Sequence, residues 1–433
     1  MQTTDTPKPA PTRFRSIITG SIGNLIEWYD WYIYAVFSLY FAATFFPGND
    51  QTAQLLNTTG IFAIGFLMRP IGGWLLGTYS DRKGRKAALT LSVLLMSTGS
   101  LVITVVPGYA QIGIAAPLLL VLARMLQGLS IGGEYGTVAT YLSEIATPNR
   151  RGFYSSFQYV TGSLGQVIAL GILMLLESHL LTPAQMNSWG WRIPFGLGAV
   201  MAVVAFYLRR NMAETGSFTN EKTKIQSRGT IKELWKYKRE AFTIIGFTLG
   251  LTVAYYTFTS YMQKFLVNSC GFSKADSARI NTIALVVFII AQPLAGLLAD
   301  RVGRKRMMLV YGVVGVVTSM PIMLLLSHTH QFWEATILVT AALLIMSLNT
   351  SISAIVKAEL FPANIRSLGV SLPYALTVAI FGGSAEWIAF QFKAAGHPQW
   401  FFWYLTVCIG ISLITIIFMP DMEKYSKMET HDK

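Results

Sequence analysis

The sequence predicts an all-α membrane protein of twelve transmembrane helices, arranged as two pseudo-symmetric six-helix bundles with both termini cytoplasmic. Three observations carry that expectation: too little charge for a soluble surface, apolar runs at regular intervals, and an internal repeat. Of the 433 residues, 53% are hydrophobic and only 13% charged, and mean hydropathy is +0.48. That charged share is about half the usual one. A soluble chain of this length still needs a charged skin, so much of this surface must face lipid.

Crossing a hydrocarbon core of roughly 30 Å takes about 20 residues of helix. Uncharged runs of that order occupy 87–106, 153–176, 241–263, 307–326, 335–356 and 400–419, and further spans begin near residues 16, 53, 112, 191, 280 and 367. An even number puts both ends on one side. The first twelve residues, rich in Thr and Pro and followed by a full span, do not resemble a cleaved signal peptide.

The net charge of +13 follows the loops. With both ends inside, cytoplasmic segments hold 27 of the 34 Lys and Arg, two of them at the exit of span ten. Arg192, Lys264, Lys274, Arg279 and Lys393 fall outside, and Arg69 and Arg124 lie within spans. This is the positive-inside asymmetry of a multi-pass protein. A nucleic-acid surface, which clusters its basic residues on one soluble face, is excluded. Cys270 and Cys408 stand 138 residues apart and give neither a disulfide framework nor metal spacing. Histidines 179, 328, 330, 397 and 431 all fall in loops or tails. No catalytic constellation forms at one membrane depth, so neither an enzyme nor a cofactor or metal is expected.

The segment GTYSDRKGRK at 77–86 returns as GLLADRVGRK at 296–305, and Glu144 with Arg151 returns as Glu359 with Arg366. Nearly equal offsets mean a duplicated half. The expected units are 1–210, a cytoplasmic linker 211–238, a second bundle 239–420 and a tail 421–433. Duplicated halves packed around a midplane site are how many secondary transporters alternate access. Gly77 and Gly296 let helices approach closely. Asp81, Arg85, Glu144 and Arg151, with Asp300, Arg304, Glu359 and Arg366, are expected to form a cytoplasmic ion-pair network that breaks when an inner gate opens.

These motifs resemble the major facilitator superfamily. Within it, the likeness is greatest to the metabolite:proton symporter family and its α-ketoglutarate (dicarboxylate) permeases. It runs through GNLIEWYDWYIY at 23–34, GFLMRPIGGWLLG at 65–77, RMLQGLSIGGEYG at 124–136, WGWRIPFGLGAV at 189–200, YTFTSYMQKFLVN at 256–268 and FGGSAEWIAF at 381–390. The resemblance implies proton-coupled import of a small organic anion such as α-ketoglutarate across a bacterial inner membrane, by a monomer. Relatives in that family carry citrate, proline, betaine or aromatic acids, so the cargo is less specific than the fold.

Six ionisable groups interrupt the spans: Glu27, Asp30, Arg69, Arg124, Glu134 and Glu386. At the middle of lipid-facing helices they would cost ~15–20 kcal/mol together, so pairing in a polar cavity is expected. Glu27 and Asp30, three apart, share a face with Asn24 and Tyr34 beside it. Gly65, Gly72 and Gly73 around Arg69 let a neighbouring helix close in, and Arg124 carries Gln127 and Gly128 on its face. When Glu27 and Asp30 take up protons, Arg69 and Arg124 lose acidic partners and fork onto the carboxylates of a dianion. Deprotonated Asp30 then recaptures an arginine and expels the cargo. Asp30 and Arg124 also resemble the first-span aspartate and fourth-span arginine of proton-coupled sugar porters. Glu134, after two glycines, reads as structural, and Glu386 reads equally as structural or functional.

In the second half Tyr255, Tyr256, Gln292, Asn349 and Tyr374 offer donors to carboxylate or keto oxygens, though which of Tyr255 and Tyr256 faces the cavity is not set by sequence. A channel would need rings of pore-lining groups. Drug-efflux antiporters resemble one another in a Gly-Pro-rich fifth span, and SSFQYVTGSLGQVIALGI here has no proline. A zwitterion such as proline or betaine needs one positive partner and a cage for its ammonium; two arginines favour two carboxylates.

Overall fold

A computed structural model describes residues 13–48, 51–210, 212–220 and 225–428. The Thr- and Pro-rich leader 1–12, His431 with the end of the tail, and residues 211 and 221–224 of the linker lie outside the described residues. Twelve long helices account for most of the rest: α1 Arg13–Phe45, α2 Gln51–Lys83, α3 Arg85–Val105, α4 Ala115–Ile145, α5 Arg151–Leu175 and α6 Arg192–Arg210. They continue as α7 Lys238–Asn268, α8 Lys274–Val302, α9 Arg304–His328, α10 Phe332–Glu359, α11 Arg366–Ala394 and α12 Gln399–Phe418. Eleven are long and apolar enough to cross a membrane. The twelfth is α1, 33 residues long, in which Glu27 and Asp30 dilute the apolar character. Each predicted span falls on one of these helices, and most helices run a few residues past their apolar core.

Packing repeats with the sequence. Helix α2 lies on α4, α3 on α4 and α6, and α1 on α5; six helices later α8 lies on α10, α9 on α10 and α12, and α7 on α11. The two sets meet through α5 on α8 and α2 on α11, with α4 against α11 and α5 against α10. In the most apolar stretch of α7 and α10, 72% of residues are buried, against 39% in α9 and α12. The outer helices instead expose Leu94, Val204, Val313 and Ile414, the apolar skin expected against lipid acyl chains.

Glycine makes the tight crossings. A Cβ on Gly128 or Gly132 would run into the backbone of Gly65 or Arg69, so α2 and α4 touch main chain to main chain. Across the halves, a Cβ on Gly77 would lie 2.9 Å from the Leu368 Cα, and one on Gly296 would lie 2.6 Å from the Gly152 carbonyl. In the repeated motif Gly84 and Gly303 adopt φ of 104° and 107°, a turn into the next helix that other residues rarely make.

Candidate functional site

The motif-bearing end of the bundle is closed by two matching clusters. Asp81, at the end of α2, accepts from the backbone N–H of Ser367 and Leu368 at 3.0 and 2.9 Å, capping the first turn of α11 in the other half. Asp300, at the end of α8, accepts from Gly152 and Phe153 at 2.7 and 3.0 Å and caps α5 in the same way. Negative charge belongs at a helix N-terminus, so each carboxylate ties one half to the other. Around Asp81, Arg85 reaches Glu144 at 3.0 Å and Asp81 at 3.3 Å, while Glu144 also receives Arg366 at 2.6 Å. Around the second copy, Glu359 receives both Arg151 and Arg304 at 3.2 Å. All eight residues singled out in the sequence meet here. A third pair of equivalents was not anticipated: Glu214 accepts from the N-terminal backbone of α3, and Glu423 from that of α9.

Deeper in the bundle the arrangement differs from the expected acid–arginine pairs. Among the described residues, neither Glu27 nor Asp30 lies within ion-pair distance of Arg69 or Arg124. Aromatic faces take that place. The Arg69 guanidinium lies 4.2 Å from the Trp31 ring centre and 4.1 Å from Phe66; that of Arg124 lies 4.3 Å from the same Trp31 and 4.2 Å from Tyr34. Trp31 therefore contacts two cations. Each such contact stabilises by about 2 kcal/mol when desolvated, which holds an arginine in place without neutralising it. Arg69 donates to the Tyr256 hydroxyl at 2.9 Å, and Arg124 to Gln127 at 2.6 Å. Nε and Nη2 of both arginines are buried with no protein acceptor.

The acids are held by hydroxyls. Glu27 accepts from Ser92 at 2.5 Å and from Ser130. Asp30 accepts from Ser100 at 2.6 Å; Ser100 in turn accepts from the Gln127 amide at 2.9 Å, and Gln127 accepts from Arg124. Asp30 and Arg124 thus communicate through two intervening side chains. Asn24 turns to α5, donating to the Gln158 carbonyl and to Thr161 at 2.8 Å each, and the Tyr34 hydroxyl goes to the Thr58 carbonyl at 3.1 Å. Glu134 forms a buried 2.5 Å pair with Arg209, in keeping with a structural part. Glu386 pairs with Lys264 in a half-exposed contact at the opposite end.

Two narrow crevices lie between the halves, each with room for about one water molecule. Arg69, Glu27, Tyr135 and Tyr374 line one; Tyr255, Tyr256, Tyr159 and Tyr374 line the other. Both Tyr255 and Tyr256 therefore face the interior. Gln292 and Asn349 line neither: Gln292 donates to Thr350 at 2.7 Å, and both amide atoms of the buried Asn349 lack a protein partner. A roomier cavity, 520 Å³, sits at the opposite end of the first half among Phe45, Ile61 and Val121 and has no charged residue in its lining. Sequence reasoning passed over Trp31, Ser92, Ser100 and Lys357; the aromatic density of WYDWYIY around Asp30 was the one available signal.

Twelve helices in two matching sets, closed over buried cations, define a polytopic membrane protein with an interior polar site. The Major Facilitator Superfamily model matches residues 20–372 and 266–431, and the chain belongs to that superfamily. It is 49% identical to the alpha-ketoglutarate permease of Escherichia coli K12, over 94% of each chain. To the citrate-proton symporter of Salmonella typhi it is 33% identical, over 95% of this chain and 96% of that one. The structure of the proton:xylose symporter XylE bound to 6-bromo-6-deoxy-D-glucose superposes with a TM-score of 0.78 at 17% identity, covering 96% of this chain and 98% of that one, which shows the shared fold. The protein is an integral, multi-pass membrane protein.

Proposed function

We propose that this protein is a secondary active transporter that imports a dicarboxylate such as α-ketoglutarate together with protons. It works as a monomer in a bacterial inner membrane, with both termini cytoplasmic. The observation that carries this reading is the pair of buried guanidinium groups that both contact Trp31, each with N–H groups that have no protein acceptor and no acid attached. Two cations fixed by a shared aromatic ring suit two carboxylates of one small molecule. The named activities of the permease and citrate symporter relatives support the same cargo class.

Proton coupling follows from the side-chain chain. With Asp30 ionised, Ser100 and Gln127 are oriented so that Gln127 accepts from Arg124. A proton on Asp30, whose Oδ1 is without a partner, turns the charge-assisted bond from Ser100 into a weaker neutral one, which loosens Gln127 and lets Arg124 fork onto a carboxylate. Glu27, beside Arg69 in the same crevice, is the second proton site. Tyr256 orients Arg69, while Tyr255 and Tyr374 enclose the carbon chain. Asn349 is the amide retained as a donor, and Gln292 fixes α8 against α10. Halves 1–210 and 239–420, joined by the linker 211–238 and followed by the tail 421–433, rock about this site. The eight residues at the motif end hold its inner gate shut.

In proteoliposomes under an inward proton gradient, labelled α-ketoglutarate is expected to accumulate, with no competition from betaine. Betaine competition without dicarboxylate uptake would reject the cargo.

A further inference from the structure

Lys357 reads in sequence as one more basic anchor at the exit of a span. An anchor keeps its ammonium in water. This one is wholly buried, in the last turn of α10, where α4, α7, α10 and α11 converge. Its Nζ donates to the Tyr135 hydroxyl at 2.8 Å and to Ser353 one turn back at 2.7 Å. Three rings surround it, Tyr374 at 4.7 Å, Tyr135 at 4.9 Å and Phe247 at 5.4 Å. Among the described residues no carboxylate pairs with it. The nearest acid along the chain, Glu359, is already held by Arg151 and Arg304. A desolvated lysine with only hydroxyls and ring faces around it gains more from an anion, which favours its protonated form, than from its present neighbours.

The lid on this cation comes from both halves. Tyr135 of α4 and Tyr374 of α11 stack with ring centres 3.4 Å apart and planes 9° apart. The same two rings line the crevice that contains Arg69 and contact Lys357, so the stack adjoins both cations. Parting the halves at the motif end pulls α4 from α11 and divides the stack, which joins the two cations by one passage.

We propose that Lys357 is a second carboxylate site for an organic dianion, occupied when the motif end is open, so that the cargo passes from Arg69 to Lys357 before release. The inference rests on the cargo proposed above. It explains why a lysine without an acid is kept between the gate cluster and the arginine pair. It also makes the site asymmetric, because parting the halves at the motif end opens Lys357, wholly buried in the closed bundle, to that side alone.

The test measures KM for α-ketoglutarate from each face in proteoliposomes of known orientation, for the unaltered protein, Lys357→Gln and Lys357→Arg. Expected is a tenfold or greater rise in KM at the motif face for Lys357→Gln, a change under twofold at the opposite face, and recovery to within about threefold by Lys357→Arg. An unchanged motif-face KM, or equal losses at both faces that arginine does not repair, overturns the inference. Tyr135→Phe supplies an independent reading should the Gln variant fail to insert. It removes a hydroxyl partner but keeps the ammonium, so motif-face KM should fall two- to threefold; a constant or higher KM overturns the inference. If the unaltered protein carries no dicarboxylate from either face, the cargo fails and this inference with it. Uptake with an indifferent Lys357 refutes this inference alone.

Discussion

The two halves meet along a common interior but bring different chemistry to it. The first half contributes acids and guanidinium groups: Glu27 and Asp30 from α1, Arg69 from α2, Arg124 from α4. The second contributes phenols, amides and a single ammonium: Tyr255 and Tyr256 from α7, Lys357 from α10, Tyr374 from α11. Since the duplicated halves match in packing, the contrast must lie in side chains alone. In the transport mechanism proposed above, charge recognition and proton handling fall to the first half, and enclosure and release to the second. The backbone contact of α2 with α4 at Gly65, Gly128 and Gly132 keeps the two arginines at fixed separation, as a rigid receptor for a short dianion requires.

Substitutions that test this division should differ in size. Arg69→Gln or Arg124→Gln removes a charge-assisted fork, worth about 1.5–3 kcal/mol for each hydrogen bond lost, and should lower kcat/KM for α-ketoglutarate uptake by a hundredfold or more. Loss of less than tenfold in both would deny the first half its role. Asp30→Asn should abolish accumulation driven by a proton gradient while leaving counterflow exchange measurable, because the cargo site survives and its coupling does not. Gradient-driven uptake at the original level would remove Asp30 from that part. In the second half Tyr256→Phe deletes one hydrogen bond to Arg69, worth about 1 kcal/mol, so KM should rise only about five- to tenfold. A collapse like that of Arg69→Gln would erase the contrast between the halves.

A smaller comparison lies within the two clusters at the motif end. Asp81, Arg85 and Glu144 are completely buried, whereas Arg151 and Arg304 of the second copy keep 7% and 8% of their side chains exposed. Buried groups lose more when a partner is removed, since water cannot replace it. Asp81→Asn should therefore raise thiol labelling of a cysteine placed at the motif end more than Asp300→Asn does, by about threefold or more. Equal labelling would make the two clusters equivalent.

Much of this was legible in the chain. Hydropathy and loop charge predict the spans because lipid leaves a helix few alternatives. The repeated motif predicts the ion-pair clusters at the motif end because Asp, Gly and Arg each serve a local need: a cap across the halves, a positive-φ turn, an ion pair. The depth of Glu27, Asp30, Arg69 and Arg124 was legible too, but their partners were not. Sequence tells which residues share a helix face, while the rotation of one helix against the next decides what that face meets. Hence the arginines met Trp31, Phe66 and Tyr34 instead of the acids. Lys357 was missed for the same reason, since a basic residue near a span's end satisfies the charge rule whether it faces water or the bundle. Arg209, counted as a loop charge, instead completes the buried pair with Glu134.

Equilibrium binding of glutarate and butyrate to the purified protein and to its Arg124→Gln variant would test most directly whether two fixed guanidiniums grip two carboxylates. Glutarate should bind the unaltered protein at least a hundredfold more tightly than butyrate, about 2.7 kcal/mol, and the variant should lose most of that preference while holding butyrate nearly as before. A preference for glutarate that survives the substitution would contradict the two-arginine site.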